Sequence, residues 1–236
     1  MVVTGEPFVL DGYSGPGGVG LALADLPVRH LGIDTEDYSH TYPGEFVQGD
    51  ASDARFVASF ETPDLLWLSP RCQAYSKLSW ANMGRYDWDE TPKERYPTFA
   101  DLNVREVIQA VDPDEYIIEN VATCDDLRDP ARLNGLAFGL PINNCRHFET
   151  SFPVPDAYES GIAEISIGSE YVRHELAAAK GVPGEWTESE IRSAIPREFV
   201  QYLLHYCPSV PDVPLPSELR QRPLGEFAAT TGGERP

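Results

Sequence analysis

The sequence has very little lysine. Lysine occurs only at positions 77, 93 and 180, so 15 of the 18 basic residues are arginine, and 38 acidic residues give the 236-residue chain a net charge of −20. Such acidity normally argues against nucleic-acid partners, since Lys and Arg must displace counterions from phosphates. That argument fails in concentrated salt, where the screening length falls to about 3 Å at 1 M. The composition therefore predicts a cytoplasmic protein of a halophilic host, or of a virus infecting one; an ordinary acidic protein is the alternative.

Paired cysteines and long apolar runs are also missing. The four cysteines at positions 72, 124, 145 and 207 contain no CxxC pair, which predicts neither a zinc site nor a disulfide framework and favours a reducing cytoplasm. No apolar run approaches membrane-spanning length, and residues 1–10 contain no basic segment followed by an apolar stretch. We therefore expect no signal peptide and no membrane anchor. The length suits one α/β domain.

The chain does contain an apolar strand that stops just before a cysteine. Residues 65–68 (LLWL) are followed by Ser69-Pro70, and Cys72 lies on the turn beyond them. Ligands of open α/β sheets bind at the carboxyl ends of the strands, so this thiol is placed where a substrate would lie. Arg71 would favour the reactive thiolate form. A small buried hydrophobe, the usual role of a free cysteine, is the alternative.

A glycine-rich turn follows the first predicted strand. Residues 8–10 are apolar and lead into DGYSGPGGVG at positions 11–20, which predicts a strand, a turn and the start of a helix. Glycine permits positive φ and lets backbone N–H groups approach a ligand at a helix N-terminus. The GxGG spacing differs from GxGxxG, and favours an adenosyl ligand other than a dinucleotide. Many such turns need glycine for geometry alone.

Two further predicted strands end on acidic residues. Residues 30–33 lead to Asp34, where such a unit grips a ribose hydroxyl pair, and residues 46–49 lead to Asp50, which is placed for an adenine amino group. A turn or helix-capping aspartate is the alternative for each. Three consecutive strands thus end on a glycine turn or an acid, and we expect these ends to share one edge of the sheet.

The remaining elements are predicted from period and composition. Residues 80–97, rich in Trp, Tyr and Arg, predict a long loop, either a lid that contacts phosphates and bases or an insertion packed on the core. A strand is predicted at 116–118 and ends in Glu119, whose carboxyl can share a proton there. Another strand is predicted at 146–153 and begins with Arg146. For this arginine, a role as a surface salt-bridge partner is the alternative. Helices are predicted at 102–111, 171–180, 191–194 and 199–206, and a disordered tail at 208–236.

Taken in order, these segments resemble the motif series of the DNA (cytosine-5) methyltransferases, in particular the compact forms of phages and archaeal viruses. The motifs are DGYSGPGGVGLAL, GID at Asp34, QGDA at Asp50, SPRCQAYS at Cys72, ENV at Glu119, CRHFET at Arg146 and SAIPREFVQYL at Ile195. The resemblance covers residues 8–206. It implies an α/β, Rossmann-like S-adenosylmethionine-dependent methyltransferase fold, a mostly parallel sheet with helices on both faces, in a domain at 1–207 with a reduced target-recognition region at 154–190.

The resemblance also implies roles for particular residues. Cys72 would attack carbon 6 of a flipped-out cytosine, Glu119 would hold and protonate its N3, and Arg146 would contact the base carbonyl. S-adenosylmethionine is the implied cofactor, held by Asp11, Tyr13, Ser14, Gly15, Gly17, Gly18, Asp34, Asp50, Pro70 and Ile195. Double-stranded DNA is the implied partner of a monomer in the cytoplasm of a haloarchaeal or virus-infected host, and a restriction endonuclease partner is left open.

Three positions depart from the family pattern. Arg71 stands where a proline usually precedes the cysteine, Asn144 stands where the RxR pattern has its first arginine, and Tyr13 replaces a common phenylalanine. The first two leave open a member that binds S-adenosylmethionine or DNA without catalysis. Cytosine methylation of RNA is a third alternative, although that class generally arranges its catalytic cysteines differently.

Overall fold

The computed structural model describes residues 5–165 and 173–220. Within these residues a single seven-stranded sheet has the order β3-β2-β1-β4-β5-β7-β6. The strands are β1 (Phe8–Gly12), β2 (Arg29–Asp34), β3 (Glu45–Gln48), β4 (Leu65–Leu68), β5 (Glu115–Val121), β6 (Ala131–Asn134) and β7 (Cys145–Thr150).

The first five strands are parallel to one another, and β7 lies antiparallel between β5 and β6. The chain runs from β1 outward to β2 and β3, then crosses back to place β4 and β5 on the other side of β1. The strand order therefore reverses between β1 and β4. Ligands of doubly wound sheets bind at such a switch point, outside the carboxyl ends of the strands.

Helices cover both faces of the sheet because its central strands are apolar on both sides. One core packs Val9, Leu65 and Trp67 against α1 and α8, and the other packs Leu10, Leu66 and Leu68 against α5. Such continuous apolar strands are typical of parallel sheets. The helices are α1 (Gly18–Leu23), α2 (Ala54–Val57), α3 (Lys77–Arg85), α4 (Pro92–Arg95), α5 (Val104–Val111), α6 (Arg173–Lys180), α7 (Glu188–Ser193), α8 (Arg197–His205) and α9 (Ser217–Arg220). The predicted Rossmann-like α/β class, with its mostly parallel sheet, is confirmed.

The prediction of a long loop at residues 80–97 was wrong. The segment begins inside α3, whose N-cap Ser76 accepts a hydrogen bond from the backbone N–H of Ser79, and it also contains α4. Helix α4 opens with a capping box of Thr91 and Glu94 and has Pro92 in its first turn. Local caps thus form helices here without an amphipathic period.

Two other segments differ from expectation. Strand β6 was not predicted, because its four residues carry no apolar run. The predicted disordered tail was wrong for residues 208–220, where Val210, Val213 and Leu219 are buried in the core beside α8. Prolines made this segment look aperiodic, yet its apolar side chains cover an apolar face. Residues 221–236 of the predicted tail, and residues 166–172 of the predicted target-recognition region, lie outside the described residues.

Among the residues described, no helix is both long enough and apolar enough to pass through a bilayer.

Candidate functional site

A cavity of about 1020 Å³ lies beyond the carboxyl ends of β1, β4 and β5, at the switch point of the sheet. Pockets of this size accommodate cofactors and substrates. The cavity brings together all of the residues predicted for the site except Gly17: Asp11, Tyr13, Ser14, Gly15, Gly18, Asp34, Asp50, Pro70, Cys72, Glu119, Arg146 and Ile195.

The glycine-rich turn is tied to the end of β2. The backbone N–H of Ser14 donates to the carbonyl of Ile33 at 3.1 Å, and that of Gly15 donates to Oδ2 of Asp34 at 2.9 Å. Gly17 has φ of 107°, and a Cβ there would lie 2.6 Å from Cδ of Pro43. Gly17 therefore shapes the turn and does not itself line the cavity.

Gly18 of α1 lies against the connection from α7 to α8, within van der Waals range. A Cβ at this position would lie 3.4 Å from both Cα of Ala194 and the backbone nitrogen of Ile195. The C-terminal part of the chain thereby closes one wall of the cavity, and this explains why Ile195 lies beside a turn that is more than 170 residues earlier in the sequence.

Asp11, at the end of β1, is completely buried at this cavity. Its Oδ2 accepts a hydrogen bond from the hydroxyl of Tyr42 at 3.2 Å, and its Oδ1 has no partner among the described residues. Burial raises the pKa of this carboxyl to about 8, with a further contribution from the charge of Asp34 against the opposing Tyr42 hydrogen bond. An unpartnered buried oxygen is expensive unless a ligand supplies a donor.

The other two acids are held by their own turns. Oδ1 of Asp34 accepts from the backbone N–H of Glu36 at 3.1 Å, and Oδ1 of Asp50 accepts from the backbone N–H and hydroxyl of Ser52 at 2.9 and 2.7 Å. Each carboxylate is thus held in one orientation at the cavity. Such fixed acceptors suit hydroxyl and amino donors of a nucleoside.

The turn that carries Cys72 is fixed from two directions. The Cys72 carbonyl accepts hydrogen bonds from the backbone N–H groups of Tyr75 and Ser76 at 3.0 and 2.9 Å. Nδ2 of Asn120, on β5, donates to the Pro70 carbonyl at 3.0 Å. The thiol is half-buried at the cavity wall.

Burial raises the pKa of the Cys72 thiol, the negative charge of Glu119 raises it further, and Arg146 opposes both. The expectation that Arg71 would favour the thiolate was wrong: Arg71 is exposed to solvent, and the cation that acts on the thiol is Arg146. A raised pKa keeps the resting thiol protonated at neutral pH.

Glu119 and Arg146 form an ion pair on adjacent strands, with Nε of Arg146 3.0 Å from Oε1 of Glu119. Burial raises the pKa of Glu119 to about 7, against the opposing charges of Arg146 and Lys180. At neutral pH this carboxyl can therefore either donate or accept a proton. A thiol, a carboxyl that can exchange a proton and a fixed guanidinium thus face one cavity.

Three contributors to the site were missed from the sequence. Asn120 belongs to the ENV motif, which was the only available signal, but its tie to Pro70 was not foreseen. Tyr42 reaches Asp11 from a loop 31 positions away. Lys180 is a buried lysine at the end of a predicted helix, where a solvent-exposed side chain would be expected.

No family model matches the sequence, and no curated protein matches it either. Solved structures resemble it at low identity. The methyltransferase EhMeth of Entamoeba histolytica is 14% identical with a TM-score of 0.46, over 68% of this chain and 57% of that one. The Dnmt2 methyltransferase of S. pombe is 17% identical with a TM-score of 0.44, over 75% and 56%. A putative DNA modification methyltransferase encoded within a prophage (E. coli) is 18% identical with a TM-score of 0.45, over 69% and 53%.

The chain thus spans between half and three fifths of the length of these structures. At these values the alignments give no residue a role.

Proposed function

We propose that this chain transfers a methyl group from S-adenosylmethionine to carbon 5 of cytosine in double-stranded DNA. The observation that carries the proposal is the convergence of Cys72, the Glu119–Arg146 pair and the glycine-rich turn on one cavity at the switch point of the sheet. The compact viral or archaeal type, a monomeric state and a halophilic host belong to the same proposal.

The cavity residues fit the cofactor. The unpartnered Oδ1 of Asp11 can accept from an ammonium group, and Asp34 and Asp50 can accept from ribose hydroxyls and an adenine amino group. Nothing lies within 4 Å of the position that a Cβ would take at Gly15, so the turn leaves room beside its backbone. S-adenosylmethionine, when bound, supplies an electrophilic methyl group.

The base side of the cavity supports activation of cytosine by covalent addition. Carbon 5 is a weak nucleophile until a thiolate adds to carbon 6, so the Cys72 sulfur forms that bond while Glu119 gives its proton to N3. Arg146 donates to the base carbonyl, where negative charge develops. After methyl transfer the carbon 5 proton leaves to a base, the carbon–sulfur bond breaks, Cys72 departs as a thiolate and the N3 proton returns to Glu119.

The target carbon cannot be reached inside a duplex, so the base must leave the stack. Helix α3 follows the Cys72 turn. Its exposed Leu78 lines the cavity, and its exposed Lys77 and Trp80 line a second, smaller pocket. Cationic and aromatic side chains contact phosphates and unstacked bases. Their position supports α3 as the DNA-facing element, in place of the long loop expected from the sequence.

Replacement of Cys72 by serine tests the proposal. A hydroxyl is far less nucleophilic than a thiolate, so we expect C72S to lose transfer of radiolabelled methyl groups to DNA in high salt while it binds S-adenosylmethionine as the wild type does. Normal turnover by C72S would rule out the covalent mechanism. Incorporation of the labelled methyl group into RNA but not into DNA would make RNA the substrate.

A binding module without catalysis is the second candidate. It is favoured by the raised pKa of the Cys72 thiol and by Asn144, whose buried Nδ2 has no partner among the described residues. Cofactor binding by the wild-type chain with no incorporation into DNA of varied sequence would support this candidate.

A further inference from the structure

Lys180 is a completely buried lysine at the last residue of α6. Its ammonium nitrogen donates hydrogen bonds to the backbone carbonyls of Arg192 and Ala194, at 2.7 and 2.8 Å. The apolar side chains of Leu176, Val182 and Ile191 form the small core around these elements. Burying a charged amine is costly even when it is hydrogen-bonded, so a lysine at this position calls for a reason beyond two hydrogen bonds.

The two carbonyls connect Lys180 to both sides of the cavity. The Arg192 carbonyl also accepts a hydrogen bond from Nη2 of Arg146 at 3.4 Å, and Arg146 in turn pairs with Glu119. The Ala194 carbonyl belongs to the residue that packs against Gly18 of the glycine-rich turn. The Lys180 ammonium group therefore links the carbonyl that contacts Arg146 to the residue that packs against the glycine-rich turn.

The charged groups that act on Lys180 are Glu119 from β5 and Arg146 from β7. From α7 and its C-cap, the backbone carbonyls of Arg192 and Ala194 accept from Lys180, whereas the Arg192 side chain pairs with Glu188. Burial lowers the pKa of Lys180 well below its ordinary value, Arg146 lowers it further and Glu119 opposes them. Conversely, the positive charge of Lys180 lowers the pKa of Glu119.

We propose that Lys180 is a positioning residue for the methyl transfer. It holds the Arg192 carbonyl in the place where this carbonyl orients Arg146 toward Glu119. Through the Ala194 carbonyl, it also keeps the glycine-rich turn in a fixed position relative to this pair. The inference rests on the proposed function. Lys180 does not line the cavity, and it acts through the two carbonyls and through its charge.

The test compares Lys180→Met, which keeps the length and apolar volume of the side chain, with Lys180→Gln, which retains a donor without the charge. Misplaced reacting groups cost up to about 100-fold in rate, so we expect K180M to lower kcat by roughly 10-fold to 100-fold with a smaller change in the KM for DNA. K180Q should recover part of kcat. In both variants the acidic limb of the pH profile should move to higher pH, because Glu119 loses a neighbouring cation.

Val107→Ala is the matched control, since it removes buried volume from α5 on the opposite face of the sheet. It should lower Tm without moving the pH profile. If K180M and V107A showed the same kcat and the same pH profile at equal Tm, Lys180 would have a structural role only and the inference would be overturned.

Titration of Glu119 by carboxyl ¹³C NMR separates this inference from the proposed function, because it needs no turnover. We expect a higher Glu119 pKa in K180M than in the wild type. An unchanged pKa would overturn the electrostatic part of the inference even in an active enzyme. If the wild type transferred no methyl group, the proposed function would fail, and the Glu119 titration would decide whether Lys180 acts on the pair.

Discussion

At the scale of single residues, the site contains two carboxyl groups whose pKa values burial raises to near neutral pH. Asp11 and Glu119 are both buried at the cavity, and burial raises the pKa of Asp11 to about 8 and that of Glu119 to about 7. Perturbed carboxyl groups in a cavity are more common at functional sites than in ordinary cores. We therefore expect Glu119 to make the rate of methyl transfer depend on pH, and Asp11 to make the stability of the protein depend on pH.

The rate of methyl transfer should depend on pH through Glu119 and Cys72 together. Attack requires that the pair hold one proton, carried by Glu119 while Cys72 is a thiolate. The state in which both groups are protonated and the state in which both are ionised are therefore inactive. We expect kcat/KM to rise as pH increases through about 7 and to remain high until the raised pKa of the thiol is approached. Glu119→Gln should lose the acidic limb together with most of the activity. An acidic limb that persisted in E119Q would assign that limb to another group.

Asp11→Asn should weaken cofactor binding and stabilise the free protein at alkaline pH. The unfolded chain releases the Asp11 proton near pH 3.8 and the folded chain near pH 8, so the folded state binds more protons and stability falls as pH rises between these values. The Tm of D11N relative to wild type should therefore increase from pH 5 to pH 8, by at least about 4 °C. Loss of a charge-assisted contact should weaken S-adenosylmethionine binding about 10-fold or more.

Thermal scans at the two pH values and calorimetric titration measure these effects. A Tm difference that did not change with pH would show that Asp11 is already ionised in the folded protein.

At the scale of elements, the site depends on ties between the end of one strand and the turn after another. Asn120 of β5 reaches the Pro70 carbonyl in the Cys72 turn, and Thr123 donates from its hydroxyl to the carbonyl of Tyr75 at 2.7 Å a few residues later. Parallel pairing of β4 with β5 places these partners side by side. The position of the thiol is therefore a property of two strands.

Asn120→Ala should lower turnover more than its loss of stability explains. Removing the amide leaves the buried Pro70 carbonyl without this donor, which costs about 1–3 kcal/mol, and it loosens the turn that aims the thiol. Thr123→Val is the matched control, since it removes a hydrogen bond from the same segment, one that reaches Tyr75 beyond the thiol and not Pro70 before it. We expect similar losses of Tm but a fall in kcat of roughly 10-fold or more only in N120A. Equal kcat values would show that Asn120 is only structural.

At the scale of the whole molecule, the excess of acidic residues sets the dependence on salt. A net charge of −20 destabilises the compact state by self-repulsion, and this repulsion is screened over about 10 Å at 0.1 M salt but over about 3 Å at 1 M. In the halophilic interpretation the protein needs that screening.

Stability should therefore rise with KCl well into the molar range, and the fold should be lost at low salt. Circular dichroism during thermal unfolding at KCl concentrations from about 0.05 to 3 M checks this, with sorbitol as a control for crowding without charge. A Tm that levelled off below about 0.3 M would indicate an ordinary acidic protein and remove the support for a halophilic host.

The sequence by itself determined the parts of the molecule that depend on local patterns. The apolar runs of β1, β4 and β5 predicted buried parallel strands. The glycines after β1 and the acids at or just after the ends of β2 and β3 predicted that these residues meet at one edge of the sheet. These predictions succeeded because parallel strands bring their carboxyl ends together, so the order of elements was enough to group residues far apart in the chain. The catalytic roles of Cys72, Glu119 and Arg146 remain predictions from the resemblance.

Only the tertiary structure decided the features that depend on distance and desolvation. Burial and the charge of Glu119 raise the pKa of Cys72, and the cation that opposes them is Arg146, not the adjacent Arg71. The carboxyl of Asp11 accepts its hydrogen bond from Tyr42, 31 positions later in the chain. The burial of Lys180 and the packing of residues 208–220 carry no local signal, since helical period and composition do not reveal which surface a segment will cover. Electrostatic energies depend on the surrounding dielectric and on neighbours brought together by folding, and neither quantity is encoded in any short stretch of sequence.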